Sequence, residues 1–403
     1  MTTPASSRRR SRRLAVGAAF AVVAAAGLSL PAVAEPAAPA SPAAPQAAKP
    51  YQIGDEQAAD VQLRYGGTTS QTIHHPGARY VKVHFDSLTL APGDKVTVSD
   101  PAGRETHTYS GDPTRGIRAA GDSSHTVSGP GFWAMSVDGD TAVITLHAKG
   151  TAPASDLAVR ADKYTRGFSA DEQRQRDVGI QSVCETDARR DAVCYEKSHP
   201  TEYGKTKSVA RMLNNGRGHC TAWRVGTSNT VFTNNHCAAS QSELDAMELQ
   251  FDYACATCGG NDPKPATKVA AAKLLKTDAS LDYTLFTVDN FAAIEKFGYL
   301  QLDVRAPQKG ERIYISGHGD TDPNELSIFE NDQGGEECDV DSPQSDSTNM
   351  GYYCDTSGGS SGSPVFAASS NKVIGLHHLG GCLNEGTRIE LIYPQVKDLI
   401  ENG

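Results

Sequence analysis

The sequence predicts an all-β chain built in two parts, a small antiparallel β-sandwich followed by a larger, disulfide-bearing β domain. Three observations predict it. Short runs that alternate apolar and polar residues recur between turn signals from Tyr51 onward. All nine cysteines lie between Cys184 and Cys382, so the two parts must be stabilised differently. Three short segments of the second part, each set against a strand-like apolar run, carry a histidine, an aspartate and a serine whose chemistries complement one another.

The first 34 residues open with Arg8, Arg9, Arg10, Arg12 and Arg13, continue through an apolar run from Leu14 to Leu30, and end in Pro31-Ala32-Val33-Ala34. That is the charged, apolar, small-x-small order of a secretory signal peptide, cut before Glu35. The run is rich in Ala and Gly and only about as long as the ~17–20 residues a membrane span needs, so a retained anchor fits less well. Arg12-Arg13 after Ser11 also admits twin-arginine export, and the route stays open. Cleavage removes five positive charges and no negative ones, taking the formal net charge from −10 to −15. An acidic, secreted, extracellular chain disfavours nucleic acid and anionic lipid as partners, because both reward a basic face. No second apolar run approaches a membrane span, and no motif calls for a cofactor.

Residues 35–50 form a Pro/Ala tract too poor in large apolar groups to pack, a semi-rigid linker. Residues 51–160 are assigned to the sandwich. Within it, Tyr80 to Phe85 and Lys95 to Val98 alternate on either side of Pro92-Gly93-Asp94, and Phe132 to Val137 meets Thr141 to Leu146 across Asp138-Gly139, a hairpin signal. Nothing here assembles a catalytic set. Phe132 and Trp133 offer rings that stack on sugars, which makes polysaccharide or cell-wall contact the rival to an ordinary core role. Residues 161–180 read as a charged connector, and Arg174-Gln175-Arg176 would suit an extracellular protease. The sandwich is thus either a pro-region or a retained domain, ahead of a domain over 181–403.

The most specific chemical segment is Gly358-Gly359-Ser360-Ser361-Gly362-Ser363-Pro364. A serine hydroxyl is a poor nucleophile at neutral pH and needs a base, plus backbone N–H groups aimed at the developing oxyanion. Read as Gly-x-Ser-Gly-x-Pro, the segment makes Ser361 the nucleophile and the N–H groups of Gly359 and Ser361 the oxyanion donors. Ser357 lacks the following proline. His236, in Thr233-Asn234-Asn235-His236-Cys237, stands out among twelve histidines because Cys237 can close a loop to Cys220. Such a loop contributes about 3 kcal/mol in the chain-entropy estimate. Asp282 enters the apolar run Tyr283-Thr284-Leu285-Phe286, where an unpaired charge is costly, so it should have a partner. An imidazole Nδ1–H is that partner's natural form. Asp278 is the competitor.

Taken together, the order His236, Asp282, Ser361 resembles the trypsin-like (chymotrypsin-fold) serine peptidases over residues 181–403. The serine segment, Asp282-Tyr283-Thr284-Leu285 and the pair Cys184/Cys194 look like the bacterial lysyl and glutamyl endopeptidase branch. The resemblance implies a chymotrypsin-like double six-stranded β-barrel with a C-terminal helix, a triad in the cleft, protein or peptide substrates, and hydrolysis through an acyl-enzyme. It also implies a Cys184–Cys382 disulfide; Cys194 would then join Cys255 or Cys258, and Cys338–Cys354 remains, leaving one thiol free. Trypsins carry an aspartate before the nucleophile that pairs with a freed N-terminal amine. This chain has Ser360 there, so that switch is absent.

Two specificity pockets can be drawn. Asp355 lies six residues before Ser361, where trypsins place the acid that receives Lys or Arg, which favours basic substrates. The stretch Leu376-His377-His378-Leu379-Gly380-Gly381 matches the histidine of glutamyl endopeptidases at His378, with Gly380 beside it. Asn384 or Glu385 would stand in the lysyl pattern. Cys255-Ala256-Thr257-Cys258 has zinc-like spacing, but no second CxxC exists and export favours disulfides, so no metal is assigned. The rival from another class is a non-catalytic binding protein on the same scaffold.

Overall fold

The computed structural model describes residues 51–91, 93–110, 118–119, 131–149, 157–176, 181–260, 262–331, 334–401 and 403. The expected signal peptide, the expected Pro/Ala linker and the Pro92 position of the expected turn lie outside the described residues.

The sandwich pairs one sheet ordered Ser70–His74, Thr141–His147, Lys95–Ser99, Thr106–Ser110, Arg118–Ala119 with another ordered Gly54–Arg64, Leu157–Gly167, Tyr80–Leu88, Phe132–Trp133. Alternation drives it: Ala142, Ile144 and Leu146 are buried along one strand while the residues between them are not. They meet Val81, Val83, Phe85, Val96 and Val98 in a single core. Two expectations change. Phe132 to Val137 is not one strand hairpinned onto Thr141 to Leu146. Instead Phe132–Trp133 and Val137–Asp138 each pair with Tyr80–Leu88, and Thr141–His147 pairs in the opposite sheet. The interruption has a cause, since Ser136 turns away and donates from both N–H and Oγ to Glu248 of the next domain, at 2.7 and 2.6 Å. Gly139, at φ +93°, then carries the chain across to the other layer.

The boundary at 160 also moves. Strand Leu157–Gly167 runs through the first part of the expected connector, and Arg174-Gln175-Arg176 ends the helix Ala170–Arg176. Its charges suggested solvent, but they are paired on the sheet face: Lys163 with Glu56, Arg166 with Asp55 and Glu172.

Beyond residue 181 the chain forms two barrels. The first closes in the order Gly218–Arg224, Val209–Asn214, Met247–Phe251, Thr267–Asp278, Tyr283–Val288, Val231–Thr233 and back to Gly218–Arg224. The second runs Glu325–Ser327, Ile313–Gly317, Pro364–Ala367, Lys372–Leu379, Asn384–Arg388, Asn349–Tyr352, with bridges Phe329–Glu337, Arg312–Asp339 and Ser342–Gly351 along its open side. Trp223, Phe232 and Tyr283 of the first barrel share a core with Tyr314, Phe366 and Leu376 of the second. The C-terminal helix Ile389–Val396 seals that core with Ile389, Ile392 and Val396. This is the all-β, chymotrypsin-like architecture. No described helix is long and apolar enough to cross a membrane.

The sandwich docks on the first barrel. Tyr51–Gln52 extends its sheet beside Gly218–Arg224, and Ile53, Tyr80 and Leu213 form a small apolar cluster. At the centre Lys82 Nζ donates to Glu248 Oε2 at 2.6 Å, with side-chain exposures of 2% and 0%. Burial alone would raise the Glu248 pKa, but Lys82 and Lys268 more than offset it and hold the carboxylate far below its usual range. Replacing Glu248 by Ala strips acceptors from Lys82, Ser136 and Gln250 at once. The expected loss is about 3–5 kcal/mol, as for one partner of a buried pair. Urea denaturation checks it, and Lys82→Met with Glu248→Met should recover most of the loss; full stability in Glu248→Ala would contradict the docking described.

Candidate active site

His236 follows strand Val231–Thr233 and is tethered by the Cys220–Cys237 disulfide. Asp282 sits at the turn between Thr267–Asp278 and Tyr283–Val288 with φ +45°, a left-handed conformation that aspartate tolerates better than most residues. Asn234 Nδ2 donates to Asp282 O at 2.9 Å, which ties the two turns together. Asp282 Oδ1 then accepts the His236 backbone N–H at 2.9 Å, and Oδ2 accepts Nδ1–H at 2.7 Å. With the proton on Nδ1, the lone pair is on Nε2, which is buried and has no hydrogen-bond partner. Burial would raise the Asp282 pKa, but hydrogen bonds from His236 and His378 outweigh it and hold it at about 2. Asp278 is elsewhere, capping its own turn through Ser280 and Leu281.

Ser361 stands on the loop between Thr356–Ser357 and Pro364–Ala367. Gly359 and Gly362 adopt φ +101° and +91°, and a Cβ at Gly362 would strike Thr221 O, so glycine is required at both. The loop is pinned to the first barrel: Thr221 N–H donates to Ser361 O at 2.8 Å, Thr221 Oγ1 to Gly359 O at 3.0 Å, and Trp223 Nε1–H to Gly362 O at 3.0 Å. Gly362 N–H reaches across to His377 O at 2.9 Å. Thus Ser361 is held one residue from Cys220, whose disulfide partner neighbours His236. No hydrogen bond joins Ser361 Oγ to His236 Nε2 in this state. Ser357 is occupied, since its Oγ accepts from Arg189 Nη1 at 2.5 Å.

The pocket residues divide. Asp355 is 1% exposed. Its Oδ2 accepts Ala188 N–H at 2.8 Å, and its Oδ1 is buried without a partner. Burial, helped by nearby Asp187, lifts its pKa to about 6. It lines a small cavity with Arg189, Gly317, Glu325, Thr356 and Ser360. His378 is not in that cavity: its ring nitrogens reach Asp282 Oδ2 at 3.1 Å and Asn349 Oδ1 at 2.9 Å. Side chains alternate along Lys372–Leu379, so His377 points the other way, to Tyr352 OH at 2.8 Å. Gly380 is exposed just beyond that strand. Asn384 is buried and braces the wall through Thr356 Oγ1 and Cys354 O, and Glu385 lies 3.4 Å from Asn349 Nδ2.

Four disulfides are formed, Cys184–Cys382, Cys194–Cys258, Cys220–Cys237 and Cys338–Cys354, and Cys255 is a buried free thiol. Cys258 is therefore not free to pair with Cys255 around a metal. Sequence reasoning missed Arg189, whose guanidinium binds Asp187, Asp320 and Glu325 as well as Ser357. It also missed Thr221 and Asn349. None carries a local signal for the site, because the partners that tie each to it, Ser357 for Arg189, Ser361 for Thr221 and His378 for Asn349, lie far along the chain.

Asp282→Asn provides a stability test. A folded-state pKa depressed from 3.8 to about 2 adds stability that is present above pH 3.8 and lost as pH falls through about 2. The variant should therefore be weaker than the parent by ~2 kcal/mol at pH 7, with the gap closing near pH 2. Urea midpoints at pH 2, 4 and 7 measure it; a gap that does not change with pH would contradict the assignment.

Residues 220–376 match the family model described as trypsin-like peptidase domain. Secreted RxLR effector protein 73 of Plasmopara viticola is 28% identical over 324 residues, covering 76% of each chain. A Glu endopeptidase solved in complex with MPD aligns with a TM-score of 0.41 and 17% identity, over 54% of this chain and 98% of that one. Deg5 aligns with a TM-score of 0.37 and 13% identity, over 50% and 94%. The matched segment contains the hydrogen-bonded His236–Asp282 pair and the Ser361 loop that Thr221 pins.

Proposed function

We propose that the chain is a secreted serine endopeptidase that cuts after Lys or Arg through an acyl-enzyme on Ser361. The observation that carries this reading is the His236–Asp282 bond: Asp282 accepts the Nδ1–H, which leaves the lone pair on Nε2, a buried atom with no hydrogen-bond partner. Ser361 Oγ attacks the scissile carbonyl carbon as Nε2 takes its proton. The carbonyl oxygen becomes an oxyanion, stabilised by the Gly359 and Ser361 N–H groups. Collapse breaks the C–N bond while Nε2–H protonates the leaving amine, and an ester to Ser361 remains. Water then repeats the sequence and releases the acid. The expected signal peptide and the four disulfides favour secretion, as does similarity to a protein whose name describes it as secreted.

For the P1 residue, Asp355 Oδ1 offers a buried carboxylate oxygen with no internal donor. Arg189 on the same cavity is already matched by Asp187 and Asp320, so Asp355 adds negative charge that no cation there balances. The competing histidine, His378, has both nitrogens engaged. The buried Lys82–Glu248 pair, together with the bonds of Tyr80 to Gly216 O and Thr165 to Asn215 O, favours a retained domain over a removable mask. Intact mass of the secreted form tests that point.

An organophosphonate probe should label Ser361 alone, and Ser361→Ala should lower turnover by roughly 10⁶-fold. Labelling at Ser357, or an active alanine variant, would refute the nucleophile. For specificity, Asp355→Asn should lower kcat/KM for Lys and Arg substrates by about 2–5 kcal/mol while sparing small apolar ones. Because Asp355 titrates at about 6, the preference for basic substrates should also fade below that pH. Profiling on a peptide library decides it, and cleavage after Glu would overturn the pocket.

A further inference from the structure

We infer that Glu325 is a specificity residue of the proposed site: it takes the P1 cation together with Asp355 in one cavity, and the two favour a lysine ammonium over an arginine guanidinium. The inference rests on the reading of Asp355 above, and its own observation is an inventory of acceptors. The cavity that Asp355 lines is also lined by Glu325, Arg189, Ser327, Thr356 and Ser360. Asp355 offers it one oxygen, not two. Its Oδ2 accepts the Ala188 N–H at 2.8 Å, and its Oδ1 is buried with no partner. A guanidinium binds a carboxylate best through parallel N–H bonds to both oxygens, and that geometry is closed at Asp355.

Glu325 is the second acid. Among the described residues its carboxylate meets one donor, Arg189 Nη1, 3.2 Å from Oε2. The shorter bonds of Arg189 go to Asp187 at 2.6 Å and Asp320 at 2.7 Å, so Glu325 keeps acceptor capacity for a ligand. Hydroxyls complete the set. Ser327 Oγ lies 3.9 Å from Cys338 Sγ, a disulfide sulfur with no proton to give, so its lone pairs stay free. Ser360 Oγ accepts the Ser357 N–H at 3.3 Å and has a second lone pair.

An ammonium brings three N–H donors and a guanidinium five. Asp355 Oδ1, a Glu325 oxygen and one serine Oγ match three. Five would leave donors buried and unpaired. Size agrees, since the cavity has room for one water-sized particle, which suits an ammonium and not a planar guanidinium. Both acids are also short of positive charge. Burial raises Asp355 to about 6, with Asp187 adding and Arg189 opposing, and raises Glu325 to about 8, with Arg189 opposing and Asp322, Asp187 and Asp320 adding. A bound ammonium favours the ionised form of each.

Peptides that differ only at P1, carrying Lys, Arg or the uncharged norleucine, test this on the full-length chain. The parent should favour Lys over Arg by about 10-fold or more in kcat/KM. Glu325→Gln should lower kcat/KM for Lys about 10–100-fold, chiefly through KM, and leave norleucine within about twofold. A parent that prefers Arg, an unchanged Lys value in Glu325→Gln, or an equal loss for norleucine overturns the inference; the equal loss would mark a purely structural role beside Arg189. Should the variant fail to fold, the parent alone decides. Then n-butylammonium should inhibit competitively at lower concentration than n-butylguanidinium, and an equal or reversed order overturns the inference. Failure of the P1 reading is told apart by Asp355→Asn, which would then leave the Lys and Arg values unchanged.

Discussion

Strand Gly218–Arg224 holds the site together, because both halves hang from it within five residues. Cys220 fixes Cys237 and with it the turn bearing His236. Thr221 fixes the Ser361 loop twice, its N–H on Ser361 O and its Oγ1–H on Gly359 O, and its Oγ1 also accepts the His318 N–H at 3.1 Å. Trp223 adds Gly362 O. A base on one barrel and a nucleophile on another would ordinarily drift as the barrels breathe. Here the same rigid strand sets the coordinates of each, so relative motion of the barrels must break backbone hydrogen bonds before it can misalign the site. The strand is buried almost throughout, and His219 is pressed against Gly359 with its pKa lowered to about 3 by burial and by Arg211, so it adds no charge there.

Behind the same loop sits a second constraint of opposite character. The trypsin-like arrangement expects an aspartate before the nucleophile, and Ser360 stands there instead. The interior cation is supplied by Arg189, whose guanidinium is 8% exposed and reaches Asp187, Asp320 and Glu325. Burial lifts Glu325 to about 8, and the nearby acids add to the effect. Arg189 also donates to Ser357 Oγ, and Asp320 N–H donates to Gly358 O at 2.9 Å. Arg189 and the acids around it thus brace the back of the loop from within the chain.

What could be seen in the sequence follows from how local each feature is. The tight loop around Ser361 was legible because such a loop needs consecutive small residues, and the structure uses Gly359 and Gly362 at positive φ. Asp282 was legible because a carboxylate entering an apolar strand demands a partner. The sandwich strands showed through their alternation, but alternation says nothing about which sheet a strand joins. Hence Phe132–Trp133 went to the wrong neighbour, for lack of any sign that Ser136 serves Glu248, 112 residues away. The segment read as a charged connector because ion pairs along Leu157–Gly167 are invisible until the strands align. His378 was read as a pocket residue, since spacing cannot say which of two adjacent histidines faces Asp282, 96 residues back.

The docked sandwich ties these threads to the N-terminal part of the chain. Its ion pair does not make the interface strong, because undocking would rehydrate Lys82 and Glu248 and return most of their desolvation cost. Affinity comes from burying Ile53, Tyr80 and Leu213 and from the added strand Tyr51–Gln52. What the pair contributes is orientation: a shift of the sandwich would leave two buried charges apart, so a single docked position is favoured. That position has a distant effect. Tyr51 packs against Gly358, where a Cβ would have no room, and its hydroxyl accepts from Gln173 at 2.7 Å. Gly358 adjoins Gly359, the proposed oxyanion donor. The register of a salt bridge on the far strands of the first barrel therefore bears, through one tyrosine ring, on the loop that carries Ser361.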